Sequence, residues 1–126
     1  MPNSFKITKD SAEPVDIPMT LEAMQEIVGG YIEAAFTIPS PFGKGRAVTG
    51  YVNEEGVLLG LDTFMTFNGR PFCGPCIITG LDYNSGESIP LSGQEIEWIK
   101  SGCKEMAVVT IPDLEMSKMF NLTLAK

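Results

Sequence analysis

The chain has 126 residues, of which 16 are acidic and 9 basic, so its formal net charge is −7. This length suits one domain with one core and is too short for two ordinary domains. Surfaces that bind nucleic acid concentrate Lys and Arg, so the charge balance argues against direct nucleic-acid binding. The sequence contains no His, which removes the usual general base and the commonest zinc ligand.

The sequence also limits where the protein is expected to work. No apolar run reaches the roughly 18 residues that a bilayer span needs, and residues 1–10 lack the basic-then-apolar layout of a signal peptide. Three cysteines cannot all pair within one chain, which suits a reducing compartment. We therefore expect a cytoplasmic protein that makes no membrane contact.

The first residues predict a strand, a connection and a helix. Ser4–Lys9 alternates weakly, as an edge strand does, and the two prolines of Asp10–Pro18 predict an irregular connection. Thr20 is placed to cap a helix that ends at Gly29, because glycine readily takes the left-handed conformation that closes a helix. The apolar face of this helix consists of Leu21, Met24, Ile27 and Val28.

A hairpin is expected after the helix. Tyr31–Thr37 and Arg46–Val52 are rich in β-branched and aromatic residues and predict two antiparallel strands. Asn53–Gly56 predicts a turn. Leu61–Asn68 fits helical and strand periods nearly equally, and we interpret it as a short helix or irregular turn. Cys76–Thr79 predicts a short buried strand.

The last part of the chain predicts a helix and two more strands. Ser92 and Glu95 match a capping box, so we expect a helix over Ser92–Ser101. Met106–Ile111 and Met119–Leu124 predict strands. The sequence thus predicts one α+β domain over residues 1–126, with two helices and a mainly antiparallel sheet of about six strands. Residues 1–19 supply its approach strand and loop, and residues 103–126 its C-terminal strands.

The spacing of Cys73 and Cys76 is that of redox-active dithiols. In such sites the first Cys begins a helix, whereas Cys76 opens a β-rich run, so we interpret both as small thiols beside a turn. A tetrahedral metal site would need two further ligands, and only Cys103 remains.

The carboxylates show no pattern of a catalytic pair. Glu54 and Glu55 fall on a predicted turn, and Glu95 and Glu97 on a predicted helix surface, so we expect all four to be solvated. The absence of His excludes Ser-His and Cys-His nucleophiles. We predict a protein that is not an enzyme and has no catalytic residue, metal or cofactor.

A glycine-rich loop over Ser40–Arg46 carries the cations Lys44 and Arg46. Glycines let backbone N–H groups approach a ligand, and the cations would attract phosphate. The loop does not match a Walker phosphate loop, so a mobile hairpin tip stays an alternative. As exposed loop charges contribute little to stability, replacing both cations with Ala is expected to abolish binding and leave the melting temperature of the unliganded protein nearly unchanged. The predicted ligand-binding residues are Ser40, Phe42, Lys44, Arg46, Arg70 and Tyr31.

Three runs of the sequence resemble one family. They are Leu21–Glu33, whose Val-Gly-Gly-Tyr-Ile-Glu run is the most specific piece, Val52–Gly56 and Gly74–Gly80. Together they resemble a family of small domains of unknown function found in bacteriophages and actinobacteria, over about residues 21–91. The resemblance implies a phage or mobile-element setting, hence the host cytoplasm, and implies no mechanism.

Two function classes follow from these observations. The first is a module that binds a nucleotide-like small molecule and sequesters a host signal, with an aromatic side chain stacked on the base. The second is an interaction protein whose acidic face docks on a basic host protein, by nucleic-acid mimicry or inhibition of a host defence. The aromatic residues that could stack on a base are Tyr31, Phe42, Phe64, Phe67 and Tyr83. We also expect a homodimer that buries the apolar side chains of Phe64, Met65 and Phe67 against a second copy.

Overall fold

Residues 2–56, 58–61, 63–67, 70–102, 108–110 and 121–124 are described by the structure, a computed structural model. The helices are α1 Leu21–Val28 and α2 Gly93–Gly102. The strands are β1 Ser4–Ile7, β2 Ala12–Val15, β3 Ile32–Pro39, β4 Arg46–Asn53, β5 Thr63–Phe67, β6 Arg70–Cys73, β7 Cys76–Asp82, β8 Ser88–Ile89, β9 Val108–Thr110 and β10 Asn121–Leu124.

The larger sheet has six strands in the order β2-β1-β7-β4-β3, with β8 paired to β7, and a second sheet has the order β6-β5-β10-β9. The strand pairs within the described residues are antiparallel. The predicted α+β fold, with two helices and an antiparallel sheet of about six strands, is therefore confirmed.

The two helices lie on opposite faces of the six-stranded sheet. Neighbouring residues of a strand point to opposite faces, and Ile77 and Ile78 of β7 belong to different buried clusters. Ile77 packs with Met24 and Val28 of α1. The larger cluster, which holds Ile78 and α2, consists of Phe5, Ile7, Phe36, Ile38, Val48, Val52, Phe72, Cys76, Ile78, Leu91, Ile96, Trp98 and Ile99.

Helix α1 begins and ends at the predicted residues. The Thr20 hydroxyl accepts a hydrogen bond from the amide of Ala23 at 3.2 Å, which satisfies one of the unpaired donors of the first turn. Gly29 has a φ of 81° and donates its amide to the carbonyl of Gln25, so it closes the helix as predicted.

The N-terminal prediction is wrong in two respects. β1 lies between β2 and β7 and is not an edge strand, and the edge strand β2 occupies part of the predicted connection Asp10–Pro18. Pro14 is compatible with β2 because an edge strand needs no donor on its solvent side. Prolines alone therefore gave the wrong prediction for this segment.

The prediction of a helix or irregular turn over Leu61–Asn68 is also wrong. β5 forms there and pairs with both β6 and β10, so long-range strand partners decide a segment whose periodicity was ambiguous. The predicted strands Met106–Ile111 and Met119–Leu124 contain β9 and β10. The predicted strand Cys76–Thr79 is the first part of β7, which continues through Gly80 to Asp82. Cys103 and the side chains of β5 lie outside the described residues.

The predicted hairpin is confirmed and forms the frame of the candidate site. β3 and β4 pair antiparallel from Ile32 opposite Asn53 to Pro39 opposite Ala47. At about 3.3 Å per residue, this hairpin separates Tyr31 at one end from Ser40 at the other by roughly 30 Å. Its two ends meet different parts of the molecule.

Candidate functional site

The loop end of the hairpin is joined to α2 by an ion pair. The Arg46 side chain donates from Nε to Oε2 of Glu95 at 3.2 Å and from Nη2 to Oε1 at 2.6 Å. Glu95 is 0% exposed. Two parallel donors facing two carboxylate oxygens form the strongest arrangement that an arginine makes with a carboxylate. The prediction that Glu95 is solvated is therefore wrong.

The Glu95 carboxylate also caps α2. Its Oε1 accepts the amide of Ser92 at 2.8 Å, and its own amide donates to the Ser92 hydroxyl at 3.1 Å, so the predicted capping box is confirmed. Burial alone would raise the pKa of Glu95, but hydrogen bonds from Arg46, Ser40 and the Ser92 amide together hold it below its ordinary value. Glu95 therefore stays ionised at neutral pH.

The Arg46 side chain has a fitted position. The hydrogen bond to Glu95 raises the pKa of Arg46, although burial acts in the opposite direction. Nη2 also donates to the carbonyl of Pro90 at 2.8 Å. A Cβ at Gly43 would lie 2.8 Å from Cδ of Arg46, and a Cβ at Gly80 would lie 3.1 Å from Nη2. These glycines leave room for the arginine, which is a structural residue and not an open loop cation.

The neighbouring loop residues pack on the same helix. The ring of Phe42 meets the ring of Trp98 edge to face, with centroids 6.0 Å apart and an interplanar angle of 78°. The Ser40 side chain helps to lower the pKa of Glu95, and its hydroxyl accepts the amide of Phe42 at 3.2 Å. Lys44 is exposed and makes no ion pair with another described residue. Arg46 is thus paired with Glu95, and phosphate binding by Lys44 and Arg46 stays a prediction.

The other two predicted ligand residues lie elsewhere. Arg70 begins β6, and its side chain lies outside the described residues. Tyr31 precedes β3 at the far end of the hairpin. The loop end of the hairpin thus holds Ser40, Phe42, Lys44 and Arg46, and Tyr31 lies at the opposite end.

The Tyr31 end of the hairpin contains an open cleft of about 380 Å³. It lies between the end of α1 and the Asn53–Gly56 turn. Two of the three runs that carry the family resemblance, Leu21–Glu33 and Val52–Gly56, thereby meet in space, although 18 residues separate them in the chain. The residues that line the cleft are Gln25, Gly29, Gly30, Tyr31, Asn53, Glu55 and Leu59.

The floor of the cleft is held by Asn53, which is 4% exposed. Its Nδ2 donates to the carbonyl of Val28 at 3.1 Å, and its Oδ1 accepts the amide of Glu55 at 2.7 Å. A Cβ at Gly30 would lie 2.9 Å from Nδ2, so this position has no room for a larger residue. Asn53 thus joins the end of α1 to the turn and sets the shape of the cleft.

The walls of the cleft expose polar and aromatic groups. Tyr31 is 66% exposed, and its carbonyl accepts the amide of Glu54 at 2.9 Å. The side chains of Gln25, Tyr31 and Glu55 make no hydrogen bond to another residue within the described ranges. They are therefore available to a ligand, whereas both ends of the Asn53 amide are occupied.

The surroundings of the cleft are acidic and partly apolar. Residues 25–33 and 53–60 contain four glutamates and no Lys or Arg. Leu58 is 84% exposed and Leu59 is 59% exposed, on the turn that continues from Glu55. The glutamates are Glu26, Glu33, Glu54 and Glu55.

Sequence reasoning missed the cleft residues Gln25, Asn53, Glu55 and Leu59. The signal for them was present, because the Val-Gly-Gly-Tyr-Ile-Glu run and the Asn-Glu-Glu-Gly run were both distinctive. Two separate local patterns do not show that α1, β3 and β4 bring them to one place.

The cysteine pair lies between two strands. Cys73 ends β6 and the buried Cys76 begins β7, with Gly74 at a φ of 87° between them, so neither thiol begins a helix. Within the described residues, no group of three or more His, Cys, Asp or Glu side chains is placed to hold a metal ion. Neither described helix is long and apolar enough to cross a membrane.

Comparison with curated proteins and with solved structures finds no match to this chain. Comparison with protein families gives one match, to the domain of unknown function DUF3846, over residues 4–104. This match contains both runs that form the cleft, as well as the hairpin and α2. The chain therefore belongs to the DUF3846 family.

Proposed function

We propose that this protein is a non-catalytic binding module that takes a nucleotide-like small molecule in the Tyr31 cleft. The observation that carries the proposal is the cleft itself. Its volume of about 380 Å³ lies within the usual range of small-ligand sites. The exposed ring of Tyr31 lies beside polar side chains that make no hydrogen bond to another described residue. An exposed tyrosine offers a flat face on which a base stacks.

The charges of the cleft fix the orientation of such a ligand. With four glutamates and no cation in the two lining segments, a phosphate placed inside would meet like charge. The base therefore enters the cleft, and the sugar and phosphate point to solvent. This differs from the orientation expected from the loop at Lys44, because Arg46 is occupied by Glu95.

A thermal-shift screen of nucleobases, nucleosides and nucleotides tests the proposal. A ligand at about 100 times its Kd stabilises the folded state by roughly 2.7 kcal/mol, which gives a clear rise in melting temperature. The matched variants are Tyr31→Ala, which removes the stacking ring, and Tyr83→Ala, which removes another exposed tyrosine, outside the cleft. Binding lost in the first and kept in the second is expected; equal binding in both would contradict the proposal.

A second function is favoured by the exposed leucines beside the acidic turn. Leu58 and Leu59 together with Glu54 and Glu55 would suit a partner protein that offers an apolar side chain surrounded by basic ones. Such a surface would inhibit a host protein by occupying its nucleic-acid site. The expected partner is therefore a host protein with a basic surface.

Salt dependence separates the two functions. Docking through glutamates should weaken steeply as salt rises, whereas a stacked base should be nearly insensitive. Replacing Glu54 and Glu55 with Lys should abolish docking, and replacing Lys44 with Glu is the control at the other end of the hairpin. Nucleoside binding that survives 0.5 M salt, with no salt-sensitive protein partner, would leave only the first function.

The setting and the assembly are also proposals. The resemblance supports a phage or mobile-element protein that sequesters a host signal in the host cytoplasm. A homodimer stays a prediction, because the side chains of Phe64, Met65 and Phe67 lie outside the described residues. Light scattering that returns twice the chain mass of 13.7 kDa would confirm the dimer, and the single-chain mass would contradict it.

A further inference from the structure

Among the described residues that line the cleft, Glu55 is the one ionisable side chain besides the Tyr31 phenol. Its backbone amide donates to Oδ1 of Asn53 at 2.7 Å, so the main chain at Glu55 has a fixed position. Its carboxylate makes no hydrogen bond to another described residue. A carboxylate is an acceptor on both oxygens and donates nothing. The group that it binds must therefore present donors.

Among the natural bases, the guanine edge offers this pattern. Its N1–H and its N2 amine are adjacent donors that point the same way, at the spacing of the two oxygens of a carboxylate. Adenine and cytosine present an amine beside a ring acceptor, which suits an amide side chain better than a carboxylate. A ring acceptor facing Glu55 would be repelled.

We propose that the cleft selects a guanine-like base, with its N1–H and N2 amine donated to the Glu55 carboxylate and its ring stacked on Tyr31. This inference rests on the proposed function and names its ligand class. Gln25, from α1, also lines the cleft and supplies an amide, which can donate to the O6 acceptor of the base. The acidic surroundings exclude a tightly held phosphate, so a nucleoside binds as well as its monophosphate.

The test compares nucleosides that differ at one position. Binding of guanosine, inosine, xanthosine, adenosine and cytidine is measured by calorimetry and by amide chemical shifts. Inosine lacks the N2 amine and loses one charge-assisted hydrogen bond, so it should bind at least about tenfold more weakly than guanosine. Xanthosine places a carbonyl opposite Glu55 and should not bind.

Glycine amides report the place of binding. Gly29 and Gly30 line the cleft, so their amide signals should shift with guanosine, whereas those of Gly45 and Gly86, on other turns, should not. Glu55→Gln should weaken guanosine at least about tenfold, since the amide replaces one acceptor oxygen with an NH2 donor that faces a donor of the base. Glu54→Gln is the matched control, because this neighbouring exposed glutamate does not line the cleft.

The outcomes of the test are distinguishable. Preference for guanosine that disappears in Glu55→Gln and persists in Glu54→Gln supports the inference. If adenosine or cytidine binds at Gly29 and Gly30 as tightly as guanosine, the proposed function stands and the guanine inference is overturned. If no nucleoside shifts these amides, both are overturned.

Discussion

At the loop end of the β3–β4 hairpin the charged side chains bind one another, whereas at the Tyr31 end they face solvent. Arg46 and Glu95 form a two-point ion pair under the loop. Asn53 satisfies backbone groups at the other end, where the side chains of Tyr31 and Glu55 make no hydrogen bond to another described residue. A polar group is available to a ligand only where the fold does not already use it, so the cationic end is structural and the acidic end is open.

The largest expected effect comes from breaking the ion pair. Arg46→Ala leaves Glu95 buried without its counter-charge, and we expect a loss of about 3 kcal/mol in the free energy of unfolding, measured with urea. Lys44→Ala, in the same loop, should change it by less than about 0.5 kcal/mol. Arg46→Lys should fall between, because an ammonium cannot make both hydrogen bonds. Equal stability of the two Ala variants would contradict the structural role.

The next effect concerns the residue that holds the cleft. Asn53→Ala leaves the Val28 carbonyl and the Glu55 amide without their partner, so we expect a loss of about 2 kcal/mol in the free energy of unfolding. Asn84→Ala is the control, since Asn84 lies on an exposed turn and uses its backbone amide there. The same denaturation measurement applies. If Asn53→Ala leaves the free energy of unfolding unchanged, water replaces the side-chain amide at no cost.

Acid should lower the free energy of unfolding by protonating Glu95 at the loop end of the hairpin. Its folded pKa lies below the ordinary value of 4.5, so its contribution to stability is complete above about pH 4.5 and is lost as the pH falls through the folded pKa. Glu95→Gln cannot titrate. We expect this variant to be less stable than the wild type at pH 7 and the difference to narrow below pH 4.5, as measured by urea unfolding across pH. A constant difference would contradict the linkage.

A smaller effect is expected at Gly30. Gly30→Ala places a Cβ 2.9 Å from Nδ2 of Asn53, and moving the amide should cost about 1 kcal/mol of unfolding free energy. Gly93→Ala is the control. It meets nothing within 4 Å at the start of α2, so it should be neutral or stabilise by about 0.5 kcal/mol. The melting temperatures of the two variants are compared. Equal values would show that the Asn53 amide moves aside without a loss of stability.

The smallest expected effect on stability is at Tyr31. Its exposed ring contributes little to the core, so Tyr31→Ala should change the unfolding free energy by less than about 0.5 kcal/mol. This makes the variant a clean probe of binding. A large loss of stability would show that the ring packs on the protein and is not free for a ligand.

The sequence by itself determined the elements whose signals are local. The cap at Thr20, the stop at Gly29 and the capping box at Ser92 each depend on residues within one turn, and each was predicted correctly. The hairpin strands were also predictable, because β-branched and aromatic residues mark both of them.

Only the tertiary structure decided which charges are used. Arg46 and Glu95 are 49 residues apart, and each looked like a surface residue in its own segment. Pairing across β4 and α2 makes one a structural cation and the other a buried carboxylate, because a buried charge must find a counter-charge. In the same way Gly30 and Asn53 meet only because β3 and β4 pair in register. Local patterns marked these residues, and long-range packing assigned their roles.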